Sequence, residues 1–538
     1  MTDQQTVNRK ARETALAVME GLPIEPTSLV NYQSRGRVVV IGDNLAQEYA
    51  PRLHENLQPL VILTEGAEEP GVPLVPLGGR SIRIEGYLGA FKIHLGDAGK
   101  ANAETVMADL VLDLSPAPLI DRAMNPPGYL SSNTDEAALS AAIDELNGMT
   151  GTFEKPTYFD YDPDICAHGR SGKTACNRCI EACPADAISG LAETIEVNAH
   201  LCQGGGACAT VCPSGAIQYV YPRARDTLTR LRRLLSVYRD EGGSEPVLVI
   251  HTEQQAEAPD WLKQSHLLPF QVEELASLGL EVWLSALAYG AREIRLLDDG
   301  SLPRQVGRAL NEQLVTAQEI LAALGYPPQV VRLAGPEEVG IDGREPMPEI
   351  SPAGFSGVGG KRQTAYLAID HLYAMAAKAR PMANLTQGAP FGNAYVEADA
   401  CTLCLACVGA CPGKALQSGS DGIPQLQFIE ANCLQCGMCT RTCPEDAIWI
   451  TPRLIFDRDK RSQPRTLHQE PPFLCVSCGK PFATRSVIDN MLNKLKGHYM
   501  FQSERALRRL TLCDECRVID IVQDPEGIDG GMDGQIRQ

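Results

Sequence analysis

Cys401, Cys404, Cys407 and Cys411-Pro412 follow the spacing Cys-x2-Cys-x2-Cys-x3-Cys-Pro, and Cys433, Cys436, Cys439 and Cys443-Pro444 repeat it without deviation. No hydrophobic pattern in the chain constrains its fold as tightly. Three thiolates on so short a loop suit three corners of one iron-sulfur cubane, and the fourth cysteine, further along, reaches a neighbouring cubane. The expected ligand sets are therefore crossed. Cys401, Cys404, Cys407 and Cys443 would hold one [4Fe-4S] cluster, and Cys433, Cys436, Cys439 and Cys411 its neighbour. The prolines after Cys411 and Cys443 are expected to end the cluster loop and open a following helix, where a missing N–H costs little.

The chain has 19 cysteines. An odd number, grouped tightly in a chain of 538 residues, points to metal rather than to a disulfide framework. They occupy three blocks, from Cys166 to Cys212, from Cys401 to Cys443 and from Cys475 to Cys516.

The first block departs from the regular spacing. Cys176, Cys179 and Cys183-Pro184 match the last three positions of the motif, but Lys173 stands where its first cysteine would be. Cys166 lies upstream of an insertion carrying His168, Gly169, Arg170, Ser171 and Gly172, whose glycines would let a loop bring Cys166 back. His168 is a rival ligand. Cys202, Cys208 and Cys212-Pro213 match the other motif, with Gly205 in place of its second cysteine. Crossed assignment gives Cys166, Cys176, Cys179 and Cys212 to a [4Fe-4S] cluster, leaving Cys183, Cys202 and Cys208. Those three suit a [3Fe-4S] cluster, or a [4Fe-4S] cluster whose open iron takes water or another side chain.

Cys-Pro-x-x-Ala-Ile/Leu occurs four times, beginning at Cys183, Cys212, Cys411 and Cys443. The repeat implies that each block is a pseudo-symmetric ferredoxin fold, with the alanine and the aliphatic residue packing from a short helix onto a small core. Cys475, Cys478, Cys513 and Cys516 form two Cys-x2-Cys knuckles 35 residues apart, the pattern of a structural zinc ribbon. A mononuclear iron site would use the same ligands. Between the knuckles, Val487 to Leu510 reads as helix, with Arg505, Arg508 and Arg509 on a basic face that is either solvated or a docking surface.

The remaining segments read as α/β. A chain of this length needs about three to five cores. The expected order is an N-terminal helical segment (1–36), an α/β, Rossmann-like domain (37–150), a two-cluster ferredoxin-like module (151–222) and a cysteine-free α/β domain (223–345). A linker and helix (346–390), a second two-cluster module (391–455), a zinc-ribbon-like module (470–520) and a glycine-rich, mobile tail (521–538) follow. Arg37-Val-Val-Val-Ile-Gly42 resembles the opening of a dinucleotide fold, but Asp43, Asn44 and Leu45 do not continue Gly-x-Gly-x-x-Gly, so no nucleotide site is expected. A helical stretch near Gln47 to Leu57 should follow. Pro246 to Ile250, Glu281 to Leu284 and Glu293 to Leu297 carry the second α/β pattern. With Leu287 to Arg292, that region resembles the small delta-subunit domain of certain hydrogenase and heterodisulfide reductase complexes, yet it lacks cysteines for a [2Fe-2S] cluster. Leu228, Leu231, Leu234, Leu235 and Tyr238 recur at helical spacing as core candidates, and Lys361 to Lys378 reads as a further helix.

A formal charge of -19 disfavours nucleic acid as a partner. The N-terminus lacks the apolar core of a signal peptide, and no apolar run reaches spanning length, so a cytoplasmic location without membrane insertion is expected. No nucleophile triad, phosphate loop or hydrolase motif suggests an independent catalytic site.

The order of an α/β domain, a block containing Cys166-Ala-His-Gly-Arg-Ser-Gly-Lys-Thr174, a second block and Cys475-Val-Ser-Cys-Gly-Lys-Pro-Phe482 resembles a bacterial family of polyferredoxins typically encoded beside formate dehydrogenases. That resemblance implies an electron relay with a redox partner, a subunit of a molybdenum- or tungsten-dependent formate dehydrogenase. The three cysteine blocks together predict three [4Fe-4S] clusters, one [3Fe-4S] or incompletely ligated [4Fe-4S] cluster, and one zinc. Gly205 departs from the family's four-cysteine pattern. The alternative role is a non-catalytic scaffold for maturing a metalloenzyme.

Overall fold

Val38 to Ile41 are all fully buried, as expected of a central strand covered on both faces. In the computed structural model this strand, Arg37–Gly42, is the middle of a five-stranded parallel sheet. The order is Leu74–Pro76, Gln58–Leu63, Arg37–Gly42, Leu110–Asp113, Tyr129–Ser131. The structure describes residues 3–69, 71–97, 100, 103–132, 136–257, 263–341, 345–357, 359–419 and 423–524; the expected mobile tail after Asp524 lies outside them.

Contacts divide the chain into two compact units, Met1–Pro163 with Asn177–Lys378, and Asp164–Cys176 with Ala379–Gln538. In the first unit, helix Asp3–Glu20 packs on helix Ala224–Asp240. Leu228, Leu231, Leu234, Leu235 and Tyr238 are buried along the latter, as their spacing requires. Leu29–Ser34 is a strand rather than further helix, paired antiparallel with Gly151–Pro156. The helical stretch expected near Gln47 to Leu57 is shorter, an α-helix over Asn44–Tyr49 and a 3-10 turn over Ala50–Arg52, because Pro51 cannot supply an interior N–H.

The cysteine-free region contains a parallel sheet ordered Leu267–Gln271, Val247–His251, Glu293–Leu297, Val331–Ala334. Glu281 to Leu284 lie in helix Leu280–Ala288, which is buried on every side. On the strand Glu293–Leu297, the Glu293 carboxylate joins Arg295 at 2.7 Å and Arg332 at 2.9 Å, a buried Arg–Glu–Arg cluster. The expected helix after residue 360 spans Lys361–Met375.

In the second unit, strands Gly392–Val396 and Ile448–Ile455 pair, and Leu416–Ser418 pairs with Gln425–Phe428. The first block reproduces this arrangement with Phe159–Tyr161 against Ile217–Tyr219 and Ile188–Leu191 against Thr194–Val197. Two expectations are corrected here. The five-residue helices Arg178–Ala182, Ala207–Val211, Ala406–Ala410 and Met438–Thr442 precede the fourth cysteines, and each Cys-Pro closes a helix instead of opening one. The reason is local. Proline disfavours the helical conformation of the residue before it, and Cys183, Cys212, Cys411 and Cys443 are all extended, with ψ of 114°, 116°, 106° and 118°. The buried Ala-Ile/Leu pairs then lead into strands, not a helix.

The helix expected from Val487 to Leu510 is broken into Arg485–Leu495, a 3-10 turn at Tyr499–Phe501 and Glu504–Arg509, with Gly497 at φ +98° between them. No helix among the described residues is long and apolar enough to cross a membrane.

Candidate metal centres

In each regular motif, the residues two and four places after the first cysteine have positive φ. Leu403 and Leu405 stand at +54° and +58°, and Gln435 and Gly437 at +52° and +77°. These left-handed steps coil the loop so that amide N–H groups turn toward sulfur. Leu403 N–H donates to Cys401, Met438 N–H to Cys436 and Gly204 N–H to Cys202. Each donation favours the thiolate.

A second device accompanies the four Cys-Pro-x-x-Ala repeats. The residue before each alanine has positive φ, Asp186 at +49°, Gly215 at +77°, Lys414 at +51° and Asp446 at +47°. This turn aims the alanine amide back at the cysteine. Ala187, Ala415 and Ala447 donate to Cys183, Cys411 and Cys443 Sγ, each at 3.3 Å. The fourth copy differs: Ser214 Oγ accepts from Ala216 N–H at 3.2 Å and stands 3.6 Å from Cys212 Sγ. The alanines in the repeat thus have two physical causes, a donated amide and a small buried side chain.

Burial raises the cysteine thiols and their mutual repulsion raises them further. Cys407 is pushed up to about 12 by burial, then by Cys401, Cys404 and Cys443. Cys436 is pushed up to about 12 by burial, with Cys411, Cys433 and Cys176 adding to it. Cys439 is raised by burial and by Cys433, Cys436 and Cys411. Cys443 thus lies close enough to the first motif's thiols, and Cys411 to the second's, to act on their charge, and Cys407 acts on Cys439 as well. Buried thiols that resist ionisation when alone are a fitting donor set for a cationic iron core, whose charge reverses that resistance.

In the first block, Cys208 is raised well above its ordinary value by burial and by Cys202, Cys183 and Cys179. Cys202 is likewise raised, by burial first, with Lys155 opposing. The Lys155 ammonium donates to the carbonyl oxygens of His200, at 2.9 Å, and of Cys202. Lys155 carries no motif and lies 47 residues upstream of Cys202, so no sequence signal marks it.

The insertion between Cys166 and Cys176 is a two-stranded hairpin, Gly169–Arg170 against Lys173–Thr174. Its two-residue turn has Ser171 at +54° and Gly172 at +71°, the twist a tight hairpin needs. Cys166 and His168 are buried, and His168 Nδ1 meets the Cys176 carbonyl at 2.9 Å, so Nε2 alone could serve as a ligand. Lys173 donates to the Arg441 carbonyl, and Arg441 donates to the Thr174 carbonyl at 2.5 Å. This places Cys176 near enough to Cys436 for their charges to interact.

The C-terminal cysteines converge. Ligand atoms of Cys475, Cys478, Cys513 and Cys516 all lie within 4.8 Å of one another, and Cys478 and Cys513 Sγ are 3.6 Å apart. A disulfide would bring sulfurs to about 2.05 Å, whereas thiolates about 2.3 Å from one tetrahedral ion lie about 3.8 Å apart. Burial pushes the Cys475 thiol up, but N–H groups of Cys513, Cys478 and Ser477 outweigh it and hold the group near 6. Two of the three arginines of the expected basic face are spent internally, since Arg505 and Arg509 pair with Asp520 and Asp524.

Tandem cysteine loops of this form are those of ferredoxin-type [4Fe-4S] domains. Residues 400–447 match the 4Fe-4S dicluster domain family and residues 195–218 the 4Fe-4S binding domain family. The chain is also similar to the ferredoxin-type protein NapF of Escherichia coli strains K12, O6:H1 and O157:H7. Each is 42% identical over 45 residues, which is 8% of this chain and 27% of the relative. The chain therefore spans about a quarter of the length of the curated relatives it matches.

Proposed function

We propose that the chain is a cytoplasmic polyferredoxin that relays electrons between a redox enzyme, a formate dehydrogenase, and another carrier. The observation that carries the relay is the closeness of Cys443 to the first motif's thiols and of Cys411 to the second's, which supports two clusters in one small fold. In this reading Cys401, Cys404, Cys407 and Cys443 hold one [4Fe-4S] cluster, and Cys433, Cys436, Cys439 and Cys411 a second. Cys166, Cys176, Cys179 and Cys212 hold a third, with His168 as the rival to Cys166. Cys183, Cys202 and Cys208 hold a [3Fe-4S] or incompletely ligated [4Fe-4S] cluster. Cys475, Cys478, Cys513 and Cys516 hold zinc in a ribbon-like module, a role the knuckle geometry supports.

The clusters would supply one-electron oxidation and reduction. The chain's own groups set the conditions. Burial excludes water, and amides aimed at sulfur, together with Lys155 beside Cys202, favour the more negative, reduced state. Cys176 beside Cys436 offers a hand-over point between the first block's ligands and the second's. Formate dehydrogenase as partner rests on the family resemblance. Anaerobic affinity purification of the tagged chain from its native cells tests it, with the expected result a near-equal amount of a formate dehydrogenase catalytic subunit. Recovery of chaperones alone would replace the relay with the maturation role.

A further inference from the structure

Gly205 stands at a loop position that the two regular copies fill with Cys404 and Cys436, and the first block's other copy with Cys176. Gly204 and Gly206, at φ +82° and +72°, repeat the positive-φ pattern of Leu403 and Leu405 around Cys404 and of Gln435 and Gly437 around Cys436. The loop therefore coils the same way, with Gly205 where the missing cysteine would stand. A Cβ at Gly205 would lie 3.0 Å from Pro184 Cγ, 3.5 Å from Met124 Cε and 3.6 Å from Met124 Sδ. The Met124 thioether occupies the space a cysteine side chain would use, and it lines the same small cavity as Cys183, Cys202 and Cys208.

Met124 is held there from both sides. Its N–H donates to the Pro184 carbonyl at 3.0 Å. Gln203, next to Cys202, donates to the Asn125 carbonyl at 2.6 Å, and Arg122 pairs with Asp186 at 3.2 Å. The loop carrying Met124 leaves the parallel strand Leu110–Asp113, where the buried Asp113 carboxylate accepts from Ser115 and Leu119 N–H and from the Tyr129 hydroxyl. The N-terminal α/β sheet thus delivers a sulfur atom to the cluster site.

We propose that Met124 Sδ is the fourth protein ligand of the cluster held by Cys183, Cys202 and Cys208, which makes that cluster a [4Fe-4S] with three thiolates and one thioether. This rests on the reading that those three cysteines bind a cluster. A thioether is a soft donor suited to iron-sulfur iron. It is also neutral, so this cluster carries one negative charge fewer than a four-cysteine cluster and has the highest potential of its class in the chain.

The test uses the full chain purified without oxygen. Iron and sulfide content, electron paramagnetic resonance, and selenium-edge X-ray absorption of selenomethionine-labelled protein are compared for wild type, Met124→Leu, Met124→Cys and Cys202→Ser. We expect wild type to show no [3Fe-4S] signal. Met124→Leu should lose one iron on brief oxidation and gain one [3Fe-4S] signal per chain, and Met124→Cys should not. The selenium spectrum of wild type minus Met124→Leu should contain an iron neighbour. A wild-type chain that already carries one [3Fe-4S] signal per chain and takes up no added ferrous iron would overturn the ligand. So would a selenium difference spectrum without iron, or a Met124→Leu protein indistinguishable from wild type. Unchanged iron in Cys202→Ser would overturn the cluster reading itself, and the ligand with it.

Discussion

Gly206, Leu405 and Gly437 occupy one position in three copies of the cluster loop, which allows a matched substitution. All three have positive φ, at +72°, +58° and +77°. A Cβ at Gly437 would meet nothing nearer than Thr440 Oγ1 at 3.8 Å, and Leu405 already carries a side chain there. Gly437→Ala therefore bears only the left-handed conformational cost of about 1–2 kcal/mol. A Cβ at Gly206 would lie 2.5 Å from Ser277 N, 2.6 Å from Ser277 Cα and 2.8 Å from the Ala276 carbonyl carbon. These are backbone atoms of the 3-10 segment Leu275–Ser277, which is also tied to the loop by the Thr210 hydroxyl donating to Ala276 O at 2.6 Å. Relieving the overlap costs about 1–3 kcal/mol more, and the loss of that hydrogen bond adds about 1 kcal/mol. Gly206→Ala should therefore destabilise by about 3–6 kcal/mol, at the site of Cys202 and Cys208. Iron and sulfide per chain after anaerobic preparation, and thermal bleaching of the cluster absorbance, provide the assay. Gly206→Ala should lose one cluster while Gly437→Ala keeps all. Equal cluster content and equal bleaching temperatures in the two variants would refute the argument that close backbone approach, rather than φ, makes Gly206 necessary.

Glu293→Gln leaves two guanidinium groups buried without their counter-charge, and should cost about 3–5 kcal/mol in denaturant unfolding followed through the buried Trp283; a loss under about 1 kcal/mol would contradict it. The Glu274 carboxyl is pushed up to about 7 by burial and then by Glu273. A raised carboxyl stabilises fully below its unfolded value of 4.5 and less as pH rises through about 7, so Glu274→Gln should flatten stability across that window. Because the group is partly exposed, the effect should be about 1–2 kcal/mol, read from midpoints measured on either side of the window. Cys475→Ser should abolish the C-terminal metal and leave iron content unchanged; metal analysis showing retained zinc would remove that cysteine from the ligand set.

The sequence by itself determined the cluster loops. Three thiolates of each regular motif lie within seven residues, so spacing alone points to loops that can share a cubane, and it predicts the crossing of Cys411 and Cys443. It also exposed Gly205 as the odd position. The helices around Cys-Pro lie elsewhere than the repeat suggests, because proline imposes an extended conformation on the residue before it. The sequence holds no sign of Lys155 or Met124. Neither belongs to a motif: Lys155 reaches Cys202 from the strand Gly151–Pro156, and Met124 from a loop of the N-terminal α/β region. Tertiary structure alone decided that Ser214 replaces a donated amide at Cys212, that Ser277 closes over Gly206, and that a thioether fills the gap at Gly205. Ligand spacing is a short-range property of the backbone, whereas the groups that complete and tune a site arrive through packing between segments far apart in the chain.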